Sequence, residues 1–181
     1  MRTALLFDAV TLLEERGARP ALIGAMALAV HGIGRSTQDV DFLVLDRSVL
    51  GADVWKGLSA SGAAVEIRRG DGDDALAGVV RLSRPGEAAV DVIVGKEEWH
   101  SQVLDRRFEV LLEGQRLFAA RAADLVLLKL DAGGPQDLLD IRLLLQGGRG
   151  TALRAEVEGL LRDLPQSLRS AWAANFGESG S

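Results

Sequence analysis

Apolar residues recur at Leu5, Leu6, Val10, Leu12 and Leu13 with the spacing of one helix face, and Gly17 follows as a stop. A helix is therefore predicted over residues 3–16. Pro20 begins a new pattern: "ALIG" reads as a short buried strand, and "AMALAVHG" after Gly24 is rich in small helix formers and closes at Gly32, which predicts strand, glycine turn and helix. "DVDFLVL" is the next strand, residues 48–61 read as a helix, "AAVEIRR" as a strand and "GDGDDALAG" as a polar loop. Two β-rich runs flank Pro85-Gly86, and two more flank Glu113-Gly114-Gln115, so each pair predicts a hairpin. From Arg121 the period becomes helical: "RAADLVLLKLDA", a break at Gly133-Gly134-Pro135, "QDLLDIRLLLQGG", "TALRAEVEGLLRDL" and a last helix after Pro165. Pro135 suits a first helical position, where its missing N–H costs nothing. The pattern predicts an α+β chain: a mixed β-sheet flanked by helices over 1–120, then a C-terminal helical region over 121–181 packed on that core.

Composition changes this picture little. A chain of 181 residues with 48% hydrophobic residues can bury one substantial core. It has no cysteine, so a disulfide framework and thiolate metal sites are excluded. The interrupted, acidic opening helix does not read as a signal peptide, no apolar run is of membrane-spanning length, and a cytoplasmic protein with no membrane partner is expected. The net charge of -5 disfavours a molecule that binds polyanions through its overall charge.

The chemistry concentrates at Asp39 and Asp41. Side chains two apart on a strand project from the same face, so the two carboxylates stand together. They repel unless a cation compensates, and a hard divalent cation such as Mg²⁺ accepts one or two carboxylates together with phosphate oxygens and water. "VDVIV" offers a third strand carboxylate, Asp91, positioned to orient or deprotonate an attacking hydroxyl. A pair of aspartates at the start of a strand is by itself more often a solvated edge. The residues ahead of it tilt the balance: Gly24 and Ala25 at a strand-to-helix turn allow close phosphate approach, Arg35 offers a planar fork and Thr37 a hydroxyl.

Taken together, "LIGAMALAVHGIGRSTQDVDFLV" resembles the signature of the nucleotidyltransferase superfamily with the DNA polymerase β-like palm. The segment "HGIGRSTQDVD" with the later "LVLLKLDAGGPQDLLDI" is similar, more narrowly, to the AbiEii/AbiGii-type toxin nucleotidyltransferases and their relatives. The resemblance covers residues 20–145. It implies the nucleotidyltransferase fold and Mg²⁺-dependent transfer of a nucleoside monophosphate from a nucleoside triphosphate to a hydroxyl of RNA, tRNA or a small molecule, releasing pyrophosphate. In that reading Asp39, Asp41 and Asp91 hold a two-metal site, Gly24, Ala25, Arg35 and Thr37 line the nucleotide, and Lys129 touches its phosphates. It also implies a place in a toxin–antitoxin pair, with a cognate antitoxin or partner protein. The alternative is a catalytically inactive protein of this fold, acting as a binding or antitoxin module. Two positions depart from the pattern: Ala25, where Gly or Ser is usual, and Gln136, where a basic residue is common.

Other signals point to bland roles or stay open. Lys129 interrupts an apolar helix and has an alternative in a salt bridge to Asp137 or Asp140. His31 reads as a helix-end histidine, and "GDGDD" lacks the glycine of a calcium loop. Arg68, Arg69, Arg81 and Arg84 lie on adjacent β segments and form either a basic strip for an RNA acceptor or a solvated sheet face.

Overall fold

A computed structural model describes residues 3–34, 39–72, 74 and 76–177. The chain divides into two compact units, Met1–Ala120 and Arg121–Ser181.

The first unit is built on one mixed sheet. Helix α1 (Ala4–Glu15) precedes strand β1 (Ala21–Ile23), helix α2 (Gly24–Val30) and strand β2 (Asp39–Val44). A short helix α3 (Lys56–Ala60) leads into β3 (Ala64–Arg69), β4 (Leu76–Ser83) and β5 (Ala89–Gly95). Helix α4 (Trp99–Arg106) and the hairpin of β6 (Phe108–Leu112) and β7 (Gln115–Ala119) complete it. The strands form a seven-stranded sheet in the order β3-β4-β5-β2-β1-β7-β6. The pairs β2·β5 and β1·β7 run parallel, whereas β1·β2, β3·β4, β4·β5 and β6·β7 run antiparallel. The α+β expectation therefore holds.

One face of the central strands is apolar throughout. Val40, Phe42, Val44, Val80, Leu82, Val90, Val92 and Val94 are buried, as alternation along each strand requires. Helix α1 packs against β5 and buries Leu5, Leu6, Ala9, Val10 and Leu13. Its first turn has backbone N–H groups with no partner inside the helix. One of them, on Leu5, donates to the Glu87 carboxylate at 2.6 Å.

Three stretches differ from the sequence pattern. Residues 48–61 are not one helix: they form 3-10 turns at Arg47–Leu50 and Ala52–Trp55, then α3. Gly51 between them is extended at φ -83, ψ 128, which interrupts the helical path while Val49, Leu50, Val54, Trp55 and Leu58 are still buried. Strand β4 begins at Leu76, inside the expected polar loop, because pairing with β3 and β5 satisfies backbone groups that a loop would leave to water. Helix α4 falls where no element was predicted; it is too short and too polar to give a clear period, yet it buries Trp99, His100, Val103 and Leu104.

The second unit is helical: α5 (Ala122–Ala132), α6 (Pro135–Gln146), α7 (Gly150–Leu161) and α8 (Gln166–Phe176). Helix α5 packs on the other three and is buried on most of its length. It ends at Gly133, in the left-handed region at φ 64, and Pro135 opens α6. No helix among the described residues is long and apolar enough to cross a membrane.

Candidate active site

The β2·β5 register decides which polar groups meet. Asp41 is the direct neighbour of Asp91 across the parallel pair, and Asp39 lies two residues earlier on the same face of β2. On the other side of β5, Arg81 is the direct neighbour of Asp91, and on the other side of β2, Ile23 is the neighbour of Asp41. One row thus reads Arg81, Asp91, Asp41, Ile23 across strands β4, β5, β2 and β1. The chain leaves this row at Gly24.

Gly24 sits at φ 64, a region that side chains rarely adopt, and a Cβ there would collide with the carboxylate of Asp41. A single residue therefore sets both the turn into α2 and the space for Asp41. Ala25 follows in the first turn of α2, half-buried. Arg35 and Thr37 lie outside the described residues.

The guanidinium of Arg81 forks between two of the three carboxylates. Its Nη1 donates to Asp91 Oδ2 at 2.6 Å and its Nη2 to Asp39 Oδ1 at 3.1 Å. The side chain of Asp91 is 17% exposed and that of Asp39 44%. The second oxygen of Asp91, Oδ1, is buried and accepts no hydrogen bond. Burial raises the Asp91 pKa above its ordinary value; Arg81 pulls it down, while the charge of Asp39 pushes it further up. The Arg81 pKa is raised, chiefly by Asp91.

The donor chemistry fits a hard divalent cation: oxygen ligands only, on one sheet face, with a buried carboxylate oxygen lacking a partner. The side chains are nonetheless not drawn together as a cage. Among the described residues no group of three carboxylate, histidine or cysteine side chains is close enough to hold a metal ion. Arg81 takes an oxygen of Asp39 and one of Asp91.

Of the two roles the sequence offered the arginines of the β segments, individual pairings on the sheet are what the structure displays. Arg81 is committed to the carboxylates, Arg84 contacts Glu87 and Asp8, Arg69 donates to the Leu50 carbonyl, and Arg68 lies 3.6 Å from Glu66. His31 caps the C-terminal end of α2, with Nε2 2.9 Å from the Ala120 carbonyl. In the helical unit, Lys129 lies 2.6 Å from Asp140 and 3.0 Å from Asp137, and Gln136 donates to Asp140 at 3.0 Å. Of the two roles the sequence offered Lys129, the ion pair is the one this geometry displays. Gln136 is a member of that network.

No family model matches the chain, and no match among curated proteins is significant. Solved structures are informative. The solution structure of the antibiotic-resistance factor ANT(2'')-Ia aligns over 95% of this chain and 93% of its own, with a TM-score of 0.57 and 15% identity. The crystal structure of ANT(2'')-Ia in complex with adenylyl-2''-tobramycin aligns over 94% and 98%, with a TM-score of 0.57 and 14% identity. The chain has the nucleotidyltransferase fold. The lincosamide antibiotic adenylyltransferase LnuA aligns more loosely, with a TM-score of 0.48 over 78% of this chain and 94% of its own at 14% identity.

Within the nucleotidyltransferase fold seen here, sequence reasoning missed the role of Arg81. It left this residue between a basic strip and a solvated sheet face, and the pairing with Asp39 and Asp91 depends on the register of the β4·β5 hairpin. That hairpin turns through Arg84-Pro85-Gly86-Glu87, with Gly86 at φ 78 and the Glu87 N–H on the Arg84 carbonyl. Five residues separate Ser83 from Ala89. A two-residue turn on Pro85-Gly86 would pair Arg81 with Val90 and send it to the apolar face; the longer loop pairs it with Asp91.

Proposed function

We propose that this chain is a Mg²⁺-dependent nucleotidyltransferase that moves a nucleoside monophosphate from a nucleoside triphosphate to an acceptor hydroxyl. The observation that carries the reading is the register of Asp41 against Asp91, with Asp39 on the same face and Gly24 fitted to Asp41. Asp39, Asp41 and Asp91 would hold the metal, and Gly24 and Ala25, with Arg35 and Thr37, would line the triphosphate. The acceptor oxygen attacks the α-phosphorus, the bond from that phosphorus to the bridging oxygen breaks, and pyrophosphate leaves. Bound Mg²⁺ supplies neutralisation of phosphate charge at both the attacking and the leaving oxygen. Asp91 suits the task of taking the hydroxyl proton, because burial makes its carboxylate a stronger base than an exposed one.

The acceptor class we favour is a small antibiotic-like molecule, because the ANT(2'')-Ia crystal structure that aligns with this chain carries adenylyl-2''-tobramycin. RNA remains the acceptor under the toxin-type resemblance, which would also bring a cognate antitoxin. Lys129 has no transfer role in this proposal, since Asp137 and Asp140 account for its charge. The direct experiment is label transfer from each α-³²P nucleoside triphosphate to panels of aminoglycosides and RNAs. Label should appear on an acceptor with the wild-type chain and Mg²⁺. Equal incorporation by Asp39→Ala would contradict the mechanism.

A second reading has one observation in its favour: Arg81 already supplies a cation to Asp39 and Asp91. In that reading the protein is a non-catalytic binding or antitoxin module of the same fold. It predicts no thermal shift with Mg²⁺ and nucleoside triphosphates, whereas the enzyme gains stability with the logarithm of ligand concentration above Kd.

A further inference from the structure

We propose that Arg81 is a placeholder cation: it holds Asp39 and Asp91 while no metal is bound, and a divalent ion must displace it from at least one of them. This inference rests on the transfer reading above.

Asp39 and Asp91 belong to different strands and share a face with Asp41, so three carboxylates gather within one patch of sheet. Like charges this close push one another apart or take up protons unless a cation sits among them. Among the described residues, Arg81 supplies a cation in direct contact with two of these carboxylates. It stands beside Asp91 in the β4·β5 register and reaches past it to Asp39, so that its two Nη atoms serve one carboxylate each. The fork is rigid and planar, which fixes the two carboxylates relative to each other better than a single ammonium would.

The same fork is an obstacle to the metal. Asp39 Oδ1 and Asp91 Oδ2 are engaged by Arg81, and the described side chains form no three-ligand cluster. A divalent ion entering beside the guanidinium would face a fixed positive charge at contact range. Arg81 therefore has to withdraw from one carboxylate as the ion arrives, most readily from Asp39, where the contact is longer and the side chain more exposed. Asp91 keeps Oδ1 unpartnered and buried even while Oδ2 is held, so it can accept the ion with the Arg81 contact still in place. Once released, the outer nitrogen of Arg81 is a donor on the metal's own face, suited to a phosphate oxygen. Arg81 is thus a positioning residue whose effect on metal binding is opposite to its effect on the metal-free state.

The test is Mn²⁺ binding to the full chain without nucleotide, read by the electron paramagnetic resonance signal of free Mn²⁺, together with thermal melting. Removing the competing charge in Arg81→Gln should tighten Mn²⁺ binding by about tenfold, lower the metal-free melting temperature, and enlarge the Mn²⁺-induced rise. Arg81→Lys keeps the charge but can serve only one carboxylate at a time, so it should fall between the two and guards against a variant that fails to fold. Unchanged or weaker Mn²⁺ binding in both variants, with wild-type binding abolished by Asp39→Asn, would overturn the placeholder role alone. If neither wild type nor Arg81→Gln binds Mn²⁺ in a way that Asp39→Asn removes, the transfer reading falls and this inference with it.

Discussion

Gly24 and Gly133 both sit at φ 64, but their surroundings differ. At Gly133 an added Cβ meets nothing closer than the Leu130 carbonyl at 3.7 Å, so Gly133→Ala incurs only the backbone penalty, about 1 kcal/mol. At Gly24 the same methyl also strikes the Asp41 carboxylate, so Gly24→Ala should cost about 2–3 kcal/mol and turn Asp41 out of the row with Asp91. Urea melts of the two variants measure the difference, and label transfer should fall with Gly24→Ala alone. Among the carboxylates, Asp41→Asn keeps shape while removing charge, and it should reduce transfer at least about a hundredfold with little loss of stability. The paired aspartates were legible in the sequence because a spacing of two on a strand fixes a common face without any knowledge of the partner strand. Their relation to Asp91 is a matter of register, and Arg35 and Thr37 lie outside the described residues.

Elements are joined by pairings that local sequence does not determine. The hairpin between β4 and β5 was legible as a hairpin, since two β-rich runs flank Pro85-Gly86. Its five-residue connection was not, and an odd change in loop length moves Arg81 from one face of the sheet to the other. Residues 48–61 failed as a helix for a related reason: burial of Val54 and Trp55 is achieved by 3-10 turns around Gly51, at the expense of regular periodicity. In the helical unit, α5 and α6 are linked by the charge network of Lys129, Asp137 and Asp140, with Asp140 fully buried. Lys129→Met should destabilise the protein by about 3–5 kcal/mol, because it leaves a buried carboxylate without its cation. Lys129→Met with Asp140→Leu should recover a large part of that loss, as a double-mutant cycle in urea will report.

For the whole molecule, acid stability has two opposed contributions. His100 is buried with its Nδ1 unpartnered, 2.6 Å from where a Cβ on Gly95 would lie. Burial lowers its pKa from 6.5, and Glu97 only partly offsets this. The unfolded chain therefore binds a proton here before the folded one does, and stability falls as pH drops below about 6.5 until the lowered folded value is passed. Asp91 acts in the opposite sense: its raised pKa means that burial of its charge costs stability above that value, and the cost is relieved as the pH falls through it. The two effects have opposite signs, so melting temperature against pH should show a decline below about pH 6.5 that His100→Gln flattens and that Asp91→Asn leaves in place.

The nucleotidyltransferase fold emerged from motif order along the chain and from the sheet that carries it, whereas the ion pairing of Arg81 came only from three-dimensional register. The measurement that bears most directly on the central claim is anomalous diffraction from crystals soaked in Mn²⁺ and a non-hydrolysable nucleoside triphosphate. The account predicts a Mn²⁺ peak about 2.2 Å from carboxylate oxygens of Asp39, Asp41 and Asp91, with Arg81 withdrawn from Asp39. A site without a peak at saturating Mn²⁺ and nucleotide, with Arg81 still bridging Asp39 and Asp91, would contradict it.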